Sequence, residues 1–406
     1  MQKAQAARSN TIRDINRQIV LNYVREREPI SRAEIARETA LQRSTVSSIV
    51  EVLQAQGLVE EIGEGESTGG RRPTLLRLRS TGAVAIGVAI TPALTTVATS
   101  NLAGRILERE DFPTDASWEV TREKVVKSAR ALQARYPGIE AIGVSLPGLV
   151  DKERGLALYI PYFQWRDIAV KEELTQATGL PVTIDNDANA AGLAELWFGR
   201  QGASPGRDFL MILVGAGIGT GIIFDGQVYC GQHGAAGECG HMIIGVGAPT
   251  ACSCGNYDCW EAFASERAAL ARYNAANGSP VCTDFHELVE RALLDEPLAR
   301  EALIQTAHFL GIGVSNLIVG FSPRAVVVTG RIVRAWSLVA DALNETINRS
   351  IRRGLPAAPI IPSTLGEQPA LMGALSLVLS HKFGIHSAIE DDSQKASRQQ
   401  AAGSRQ

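Results

Sequence analysis

The chain has 406 residues, of which 45% are hydrophobic and 20% charged, which is too much for one ordinary core and suits two or three domains. Its longest apolar runs, such as Ala83 to Thr91 and Phe209 to Val214, are broken by glycine or charge before membrane-spanning length, and Met1 to Asn10 lacks the apolar core of a secretory signal. The net charge of −3 divides unevenly: residues 1–80 hold 13 Lys/Arg against 10 Asp/Glu, and residues 81–406 hold 27 against 33. A soluble cytoplasmic protein is expected, with a front that permits phosphate contact without demonstrating it.

Three helices are expected at the front, from Ile12 to Arg27, Ser31 to Thr39 and Arg43 to Gln56. Ser31 with Glu34 three residues on has the spacing of a capping box, in which each side chain satisfies an amide at the other's position. Ile30, Ile35, Ala36, Leu41, Val46, Ile49, Val50, Leu53 and Leu58 are spaced to share one small core. The third helix then exposes Arg43, Ser44, Thr45 and Ser47, short or cationic donors suited to base edges and phosphates in a major groove. A solvated helix in an interaction domain would look similar. What favours a DNA reader is the turn from Gly69 to Pro73 between extended segments Val59 to Ile62 and Thr74 to Leu78, a wing that carries Arg71 and Arg72.

After a short linker at Ser80 to Gly82, β-branched runs alternate with helical stretches, which predicts an α/β body. Strands are expected at Val84 to Ile90, Ala141 to Ser145, Val182 to Ile184, Phe209 to Val214, Gly221 to Phe224 and Ala325 to Val328. Helices are expected near Trp118 to Arg135, Ala188 to Phe198, Ser265 to Ala276, Leu298 to Val319 and Val333 to Ile351. Two glycine-bearing turns, Ser145 to Gly148 and Gly215 to Gly221, lie half a body apart and suggest two related lobes. The tail from Ser387 to Gln406 is polar and too poor in apolar residues to offset its ordering entropy, so disorder is expected there.

Chemistry concentrates in two places. Asp185, Asn186, Asp187 and Asn189 fall at a strand end before a helix, with Glu195 further along, where open α/β sheets bind ligands and where adjacent acids and amides suit a hydroxyl-rich one. The plainer alternative is a helix N-cap cluster. Glu238 and His241 are followed by Cys252, Cys254, Cys259 and Glu261, and one His with three Cys at this spacing can close a tetrahedral zinc site. Buried, inert cysteines are the competing reading. A closed site of this kind is structural, so zinc would hold Glu238 and Glu261 in place rather than catalyse.

These motifs resemble the ROK family (repressors, open reading frames and kinases) from about Arg13 to about Leu379, in the manner of its repressor members. The front is similar to the family's arginine-alanine-glutamate and threonine-valine-serine helices and its Gly-Gly-Arg-Arg-Pro wing. The body is similar in Val144 to Val150, in Asn186 and Asp187, in Glu238 to His241, in Cys252 to Glu261, and in Leu371 to Leu375. The resemblance implies a winged helix-turn-helix at residues 1–80 and an actin/hexokinase-like body of two lobes. Residues 81–190 with a closing helix at 369–384 form one lobe and 191–368 with the zinc motif form the other. It implies a sugar held by Asn186, Asp187, Glu238, His241 and Glu261, and a zinc ion held by His241, Cys252, Cys254 and Cys259.

In family kinases the acid matching Asp187 is the catalytic base, while an aspartate and a Gly-Gly-Thr-Lys-like turn in the first strand grip ATP. Here that stretch is Gly87 to Leu94, with Ala89 in place of the acid, Pro92 in the turn and Leu94 in place of the cation. Arg331 adds bulk to a later turn, Val328 to Ile332, which the family's kinases place against adenosine. The resemblance therefore implies a regulator with a degenerate kinase body, no catalytic residues, a double-stranded DNA operator, a sugar or sugar-phosphate effector and a homodimer or homotetramer. An active sugar kinase with a DNA-binding appendage and a docking platform for another protein are the alternatives. Gln42 and Tyr162 depart from the family, which usually has serine and often asparagine there.

Overall fold

The structure is a computed structural model that describes residues 9–65, 72–79, 84–199, 206–351 and 358–383. The chain divides into two compact units, one made of Met1–Val84, Ser100–Leu107 and Val378–Gln406, the other of Ala85–Thr99 and Glu108–Leu377. The linker at Ser80 to Gly82, Arg71 of the wing and the tail from Ser387 lie outside the described residues.

At the front, α1 (Ser9–Arg27), β1 (Ile30–Ser31), α2 (Arg32–Thr39), α3 (Arg43–Ala55), β2 (Val59–Glu64) and β3 (Thr74–Leu78) form three helices and a sheet in the order β1-β3-β2, all antiparallel. The expected capping box is present: Ser31 N donates to Glu34 Oε2 at 2.9 Å and Glu34 N donates to Ser31 Oγ at 3.3 Å. Such a cap stabilises a helix start by about 1 kcal/mol. Ala40, at φ +57°, ends α2, and Gln42 begins α3 without a side-chain cap. Ile35, Val46, Val50, Leu53 and Leu76 are fully buried, so the periodicity read from the sequence is the packing of this small core.

The first lobe is built on β4 (Ala85–Ile90), β5 (Leu94–Ser100), β6 (Ile106–Pro113), α4 (Trp118–Arg135) and β7 (Ala141–Leu146). Then come the short strands β8 (Leu149–Asp151), β9 (Leu156–Ile160) and β10 (Trp165–Ile168), followed by α5 (Val170–Thr178) and β11 (Val182–Asn186). Next, α6 (Asp187–Phe198) leads to the second lobe: β12 (Phe209–Val214), β13 (Ile218–Phe224), β14 (Gln227–Val228), α7 (Trp260–Ala264), α8 (Glu266–Asn277) and α9 (Phe285–Leu293). The chain closes with α10 (Pro297–Phe321), β15 (Ala325–Gly330), α11 (Trp336–Ser350), β16 (Ile360–Pro362) and α12 (Pro369–Phe383).

The large sheets run β11-β7-β4-β5-β6 and β14-β13-β12-β15-β16. Counted within each sheet, the strand order is the same, so the two lobes suggested by the paired glycine turns share one topology. In the first sheet β11, β7 and β4 are parallel; in the second β12 is parallel to β15 and antiparallel to β13. The first half of α12 packs on the first sheet so closely that a Cβ on Gly143 would lie 1.9 Å from the Ala374 carbonyl oxygen.

Three readings of the sequence need correction. The Gly215 to Gly221 stretch is a turn only as far as Gly217; β13 begins at Ile218, because Gly219 and Gly221 lie under α6, where a Cβ on Gly221 would sit 2.5 Å from the Ala188 carbonyl oxygen. Val333 belongs to a 3-10 turn, Arg331–Ala335, and α11 starts at Trp336. At 25 residues, α10 is also long and apolar enough to cross a membrane, although its glycines disguise it. It is the core helix of the second lobe, and Leu303, Ala307, Leu310, Val314 and Leu317 are buried among α7, α8, α9 and α11.

Candidate functional site

Asn186 and Asp187 stand where β11 becomes α6, at the carboxyl end of a parallel strand. The Asn186 side chain is the N-cap: its Oδ1 accepts the Ala188 and Asn189 amides at 2.9 and 3.2 Å, and its Nδ2 donates to the Gly148 carbonyl at 3.0 Å. The capping alternative therefore describes Asn186, which fixes the start of the helix and the Pro147-Gly148 turn. Asp187 is different. Its Oδ1 accepts the amide of Ala188 at 2.8 Å, and burial together with the nearby Glu238 carboxylate pushes its carboxyl up to about 7. Glu195, by contrast, is buried and receives a hydrogen bond from Ser363 Oγ at 2.6 Å, a structural contact.

Glu238 and His241 lie on a single 3-10 turn, Glu238–His241, opened by Gly237 at φ +93°; a Cβ on Gly237 would meet the Thr220 carbonyl oxygen at 2.1 Å. The turn aims the two imidazole nitrogens at different partners. His241 Nδ1 lies 3.3 Å from Cys252 Sγ, and Nε2 lies 3.4 Å from Glu238 Oε2. His241, Cys252, Cys254 and Cys259 bring one donor atom each to within 4.8 Å of the others, with Cys254 and Cys259 sulfurs 3.9 Å apart. Tetrahedral thiolates around a 2.3 Å bond would be about 3.8 Å apart. The donor set and its spacing thus fit a metal ion, with Glu238 as the carboxylate that orients the ligating histidine.

The cluster is tied to the core by one residue. Trp260 follows Cys259, is fully buried, donates from Nε1 to the Phe309 carbonyl at 3.0 Å, and packs so tightly on α10 that a Cβ on Gly313 would lie 2.0 Å from its ring. This fixes Glu261, the next residue, in a buried position. Its Oε1 accepts Ser253 N at 2.9 Å, Ser253 Oγ at 2.6 Å and Arg267 Nη2 at 3.2 Å, and its Oε2 faces the Ile218 amide at 3.4 Å. Burial pushes the carboxyl upward, but the Ser253 hydrogen bonds outweigh it and hold Glu261 below the usual range, as an anion. Arg267 also donates to the Ala216 carbonyl at 2.7 Å, so it binds the glycine turn to Glu261. Ser253 and Arg267 were given no role from the sequence. Nothing in spacing marks Arg267, which is placed by the first turn of α8.

The turn between β4 and β5 is closed on itself. Thr91 N donates to the Leu94 carbonyl at 3.0 Å, Thr91 Oγ1 to the same carbonyl at 2.8 Å, and Leu94 N to Thr91 Oγ1 at 3.1 Å, while Thr114 N donates to the Ala93 carbonyl at 3.3 Å. Ala89 is buried in β4 beside Ser145. Arg331 pairs through two nitrogens with the buried Glu266 and with Asp284 Oδ1 at 3.0 Å, its guanidinium 5.7 Å from the Phe285 ring.

At the front, Arg43 and Ser44 are exposed and Thr45 and Ser47 half-buried on the first turns of α3, and Arg72 is exposed beside β3. Arg32, which has no place in that group, is engaged instead with Gln54 at 3.2 Å and Glu61 at 2.9 Å.

The ROK family model matches residues 83–381, and the MarR family model matches residues 19–72. The chain is 31% identical to the xylose repressor of Bacillus spizizenii over 92% of its own length and 97% of that protein's. It is 28% identical to the N-acetylglucosamine repressor of Escherichia coli O157:H7, over 93% and 95% of the two chains. Among solved structures it is similar to a ROK family transcriptional regulator, a homologue of the E. coli MLC protein, at a TM-score of 0.74 and 26% identity, covering 94% of this chain and all of that one. A ROK family glucokinase from Streptomyces griseus, solved with glucose and AMPPNP, matches at a TM-score of 0.66 and 30% identity over 73% of this chain and 99% of its own.

If the four-residue cluster holds a metal, the purified chain carries one equivalent of a transition metal by elemental analysis. Cys254→Ser then loses it and lowers the melting temperature by several degrees; a metal-free wild-type protein of unchanged melting temperature would contradict the assignment.

Proposed function

The chain belongs to the ROK family, and from that premise we propose that it is a DNA-binding repressor of carbohydrate genes whose kinase-like body senses a sugar instead of phosphorylating it. The observation that carries this reading is the joining, in one chain, of a winged helix-turn-helix with α3 presenting Arg43 and Ser44 to solvent and a body that gathers Asp187, Glu238, His241 and Glu261. Relatives of nearly the same length that bear the names of sugar repressors support it. Arg43, Ser44, Thr45, Ser47, Arg71 and Arg72 would contact the operator, with Arg71 and Arg72 reaching phosphates or the minor groove from the wing. A homodimer or homotetramer in the cytoplasm would place two such helices on a palindromic site.

The effector is a sugar or sugar phosphate whose hydroxyls hydrogen-bond to Asp187, Glu238 and Glu261, with Asn186 holding Asp187 in place. Zinc is the ion that suits three thiolates and an imidazole, and in a closed four-ligand site it supplies rigidity. His241 would give Nδ1 to the metal and leave Nε2, beside Glu238, facing the ligand. Regulation requires the sugar to prefer one arrangement of the body over another, since equal affinity would shift nothing.

The kinase reading has one observation in its favour: an Asp187 pushed up to about 7 is well poised to take a proton from a hydroxyl. Phosphoryl transfer also needs the triphosphate positioned and neutralised. Here the β4–β5 turn uses its own donors internally, carries Leu94 instead of a cation, and starts beside Ala89 instead of an acid. Arg331, paired to Glu266 and Asp284, occupies the turn that family kinases keep open for adenosine.

On a duplex selected by the protein from a random pool, Arg43→Ala should weaken binding by about 1–3 kcal/mol, roughly five- to 150-fold, while the sugar still raises the melting temperature. Asp187→Ala should do the reverse, and a normal sugar response in that variant contradicts the sugar site. Sugar binding should also depend on pH. Hydroxyl donors need the Asp187 carboxylate, so the ligand lowers its pKa from about 7, and affinity is present above pH 7 and falls, by up to about tenfold per unit, as the pH drops below it. Titrations from pH 8 to 5.5 check this, and Asp187→Asn should flatten the profile.

A further inference from the structure

Gln42, one of the two departures from the family pattern, stands at the start of α3, and its side chain does nothing there for the helix. Ala40, at φ +57°, ends α2, and Leu41 N donates to Thr39 Oγ1 at 3.4 Å, so the two helices are joined by a tight connection. Gln42 leaves that connection extended, at φ −64° and ψ 143°, and its carbonyl accepts Val46 N at 3.0 Å as the first bond of the helix. The backbone thus serves as the N-cap, while the side chain makes no capping bond and is exposed. Serine, usual here in the family, would cap through its hydroxyl as Ser31 caps α2 and Ser265 caps α8, and forgoing that bond weakens the helix start.

The rest of α3 shows which end can enter a groove. Val46, Ile49, Val50 and Leu53 are its buried face. Away from that face, Arg43, Ser44 and Ser48 are exposed on the first turns and Glu51, Val52 and Ala55 on the later ones. Arg43 is the only cation of the helix and Glu51 its only acid, so the phosphates of a duplex attract the first turn and repel the later ones. The helix therefore enters by its first turn, where Gln42, Arg43 and the short hydroxyls reach base edges. Hydroxyls donate and accept, and so tolerate either base pair; the arginine fork fits guanine and phosphate alike. A glutamine amide is uncharged and gains little from phosphate, but its paired donor and acceptor match adenine N7 and N6 on one edge. Gln54, the other glutamine near this face, is already engaged, since its Oε1 accepts Arg32 Nη2 at 3.2 Å.

We propose that Gln42 is a specificity-determining residue for the operator, its side-chain amide reading one adenine through N6 and N7 in the major groove where α3 enters. This rests on the operator-binding reading given above and assigns one base pair within it. A chain that gives up a helix cap and holds an amide free at that place follows the pattern expected where a local rule yields to function.

The test uses the full-length chain and a duplex that it selects from a random pool. The selected site should contain an adenine whose replacement by 7-deazaadenine, which puts carbon in place of N7, weakens wild-type binding by about fivefold, and whose replacement by another base weakens it by about five- to 150-fold. Gln42→Ser should accept all four bases at that position within about twofold, keep wild-type discrimination elsewhere, and melt no lower than the wild type because serine restores the cap. Gln42→Ala, with neither cap nor amide, should show the same relaxed base profile, which separates the amide from the stability of the helix. No adenine sensitive to the N7 substitution, an unchanged base profile in both variants, or a loss uniform across all sequences as a phosphate contact gives, overturns the proposal and leaves operator binding standing. Failure of the chain to select any duplex would remove the operator reading itself, and the role of Gln42 with it.

Discussion

The body depends on one buried charge. Glu261 is only 4% exposed, and an ionised carboxylate at that depth is tolerated only if it is surrounded by donors. Those donors come from separate pieces of chain: the Ser253 backbone and hydroxyl from the cysteine loop, the Ile218 amide from the start of β13, and the Arg267 guanidinium from α8. Satisfying Glu261 therefore draws the glycine turn, the cysteine loop and the second lobe's helices to a single point. Cys259 and Trp260 fix its backbone from the other side, one as part of the His/Cys cluster and one by packing on Gly313. A metal there would complete the arrangement by making the loop that carries Ser253 rigid.

Much of this was legible in the sequence, for identifiable reasons. The front helices announce themselves because Ser31 and Glu34 cap reciprocally and the apolar residues repeat at helical spacing. The His/Cys cluster was readable from spacing alone because a tetrahedral site constrains a short loop severely. Less was readable where one residue has two uses. Asn186 looks the same in a helix cap and in a binding site, and only its bonds to Ala188, Asn189 and Gly148 show that the cap occupies it. Gly219 and Gly221 resemble a phosphate turn because both turns and close packing exclude a Cβ; the nearness of α6 is a tertiary fact. Arg267 carries no local signal, since its partner Ala216 lies 51 positions away in the chain. Strands β5 and β6 were missed because Leu94–Ser100 carries threonines at buried positions where an apolar run would mark a buried strand, and Ile106–Pro113 is heavily charged on its exposed side.

A kinase scaffold is well suited to sensing. The body holds two sheets of the same strand order, and Asp187 at the end of β11 lies beside Gly219 of β13, so the residues proposed to hold the sugar are drawn from both. The acid that would activate a hydroxyl in a kinase would still serve a sensor as a hydrogen-bond acceptor, so on the proposed reading Asp187 would have a role either way. The self-bonded turn at Thr91 and Leu94 and the pairing of Arg331 with Glu266 agree with the proposed body, one that would bind a sugar without phosphorylating it.

The central claim is that one chain couples sugar and operator without phosphate chemistry or a second protein, and linkage makes that claim reciprocal: whatever factor the sugar applies to operator affinity, the operator must apply to sugar affinity. The measurement is therefore calorimetric titration of the effector sugar into the purified chain with and without its saturating duplex, beside titration of the duplex with and without sugar, in the absence of ATP. The account predicts one factor, different from unity, in both directions. A sugar affinity identical in the presence and absence of the duplex would contradict it.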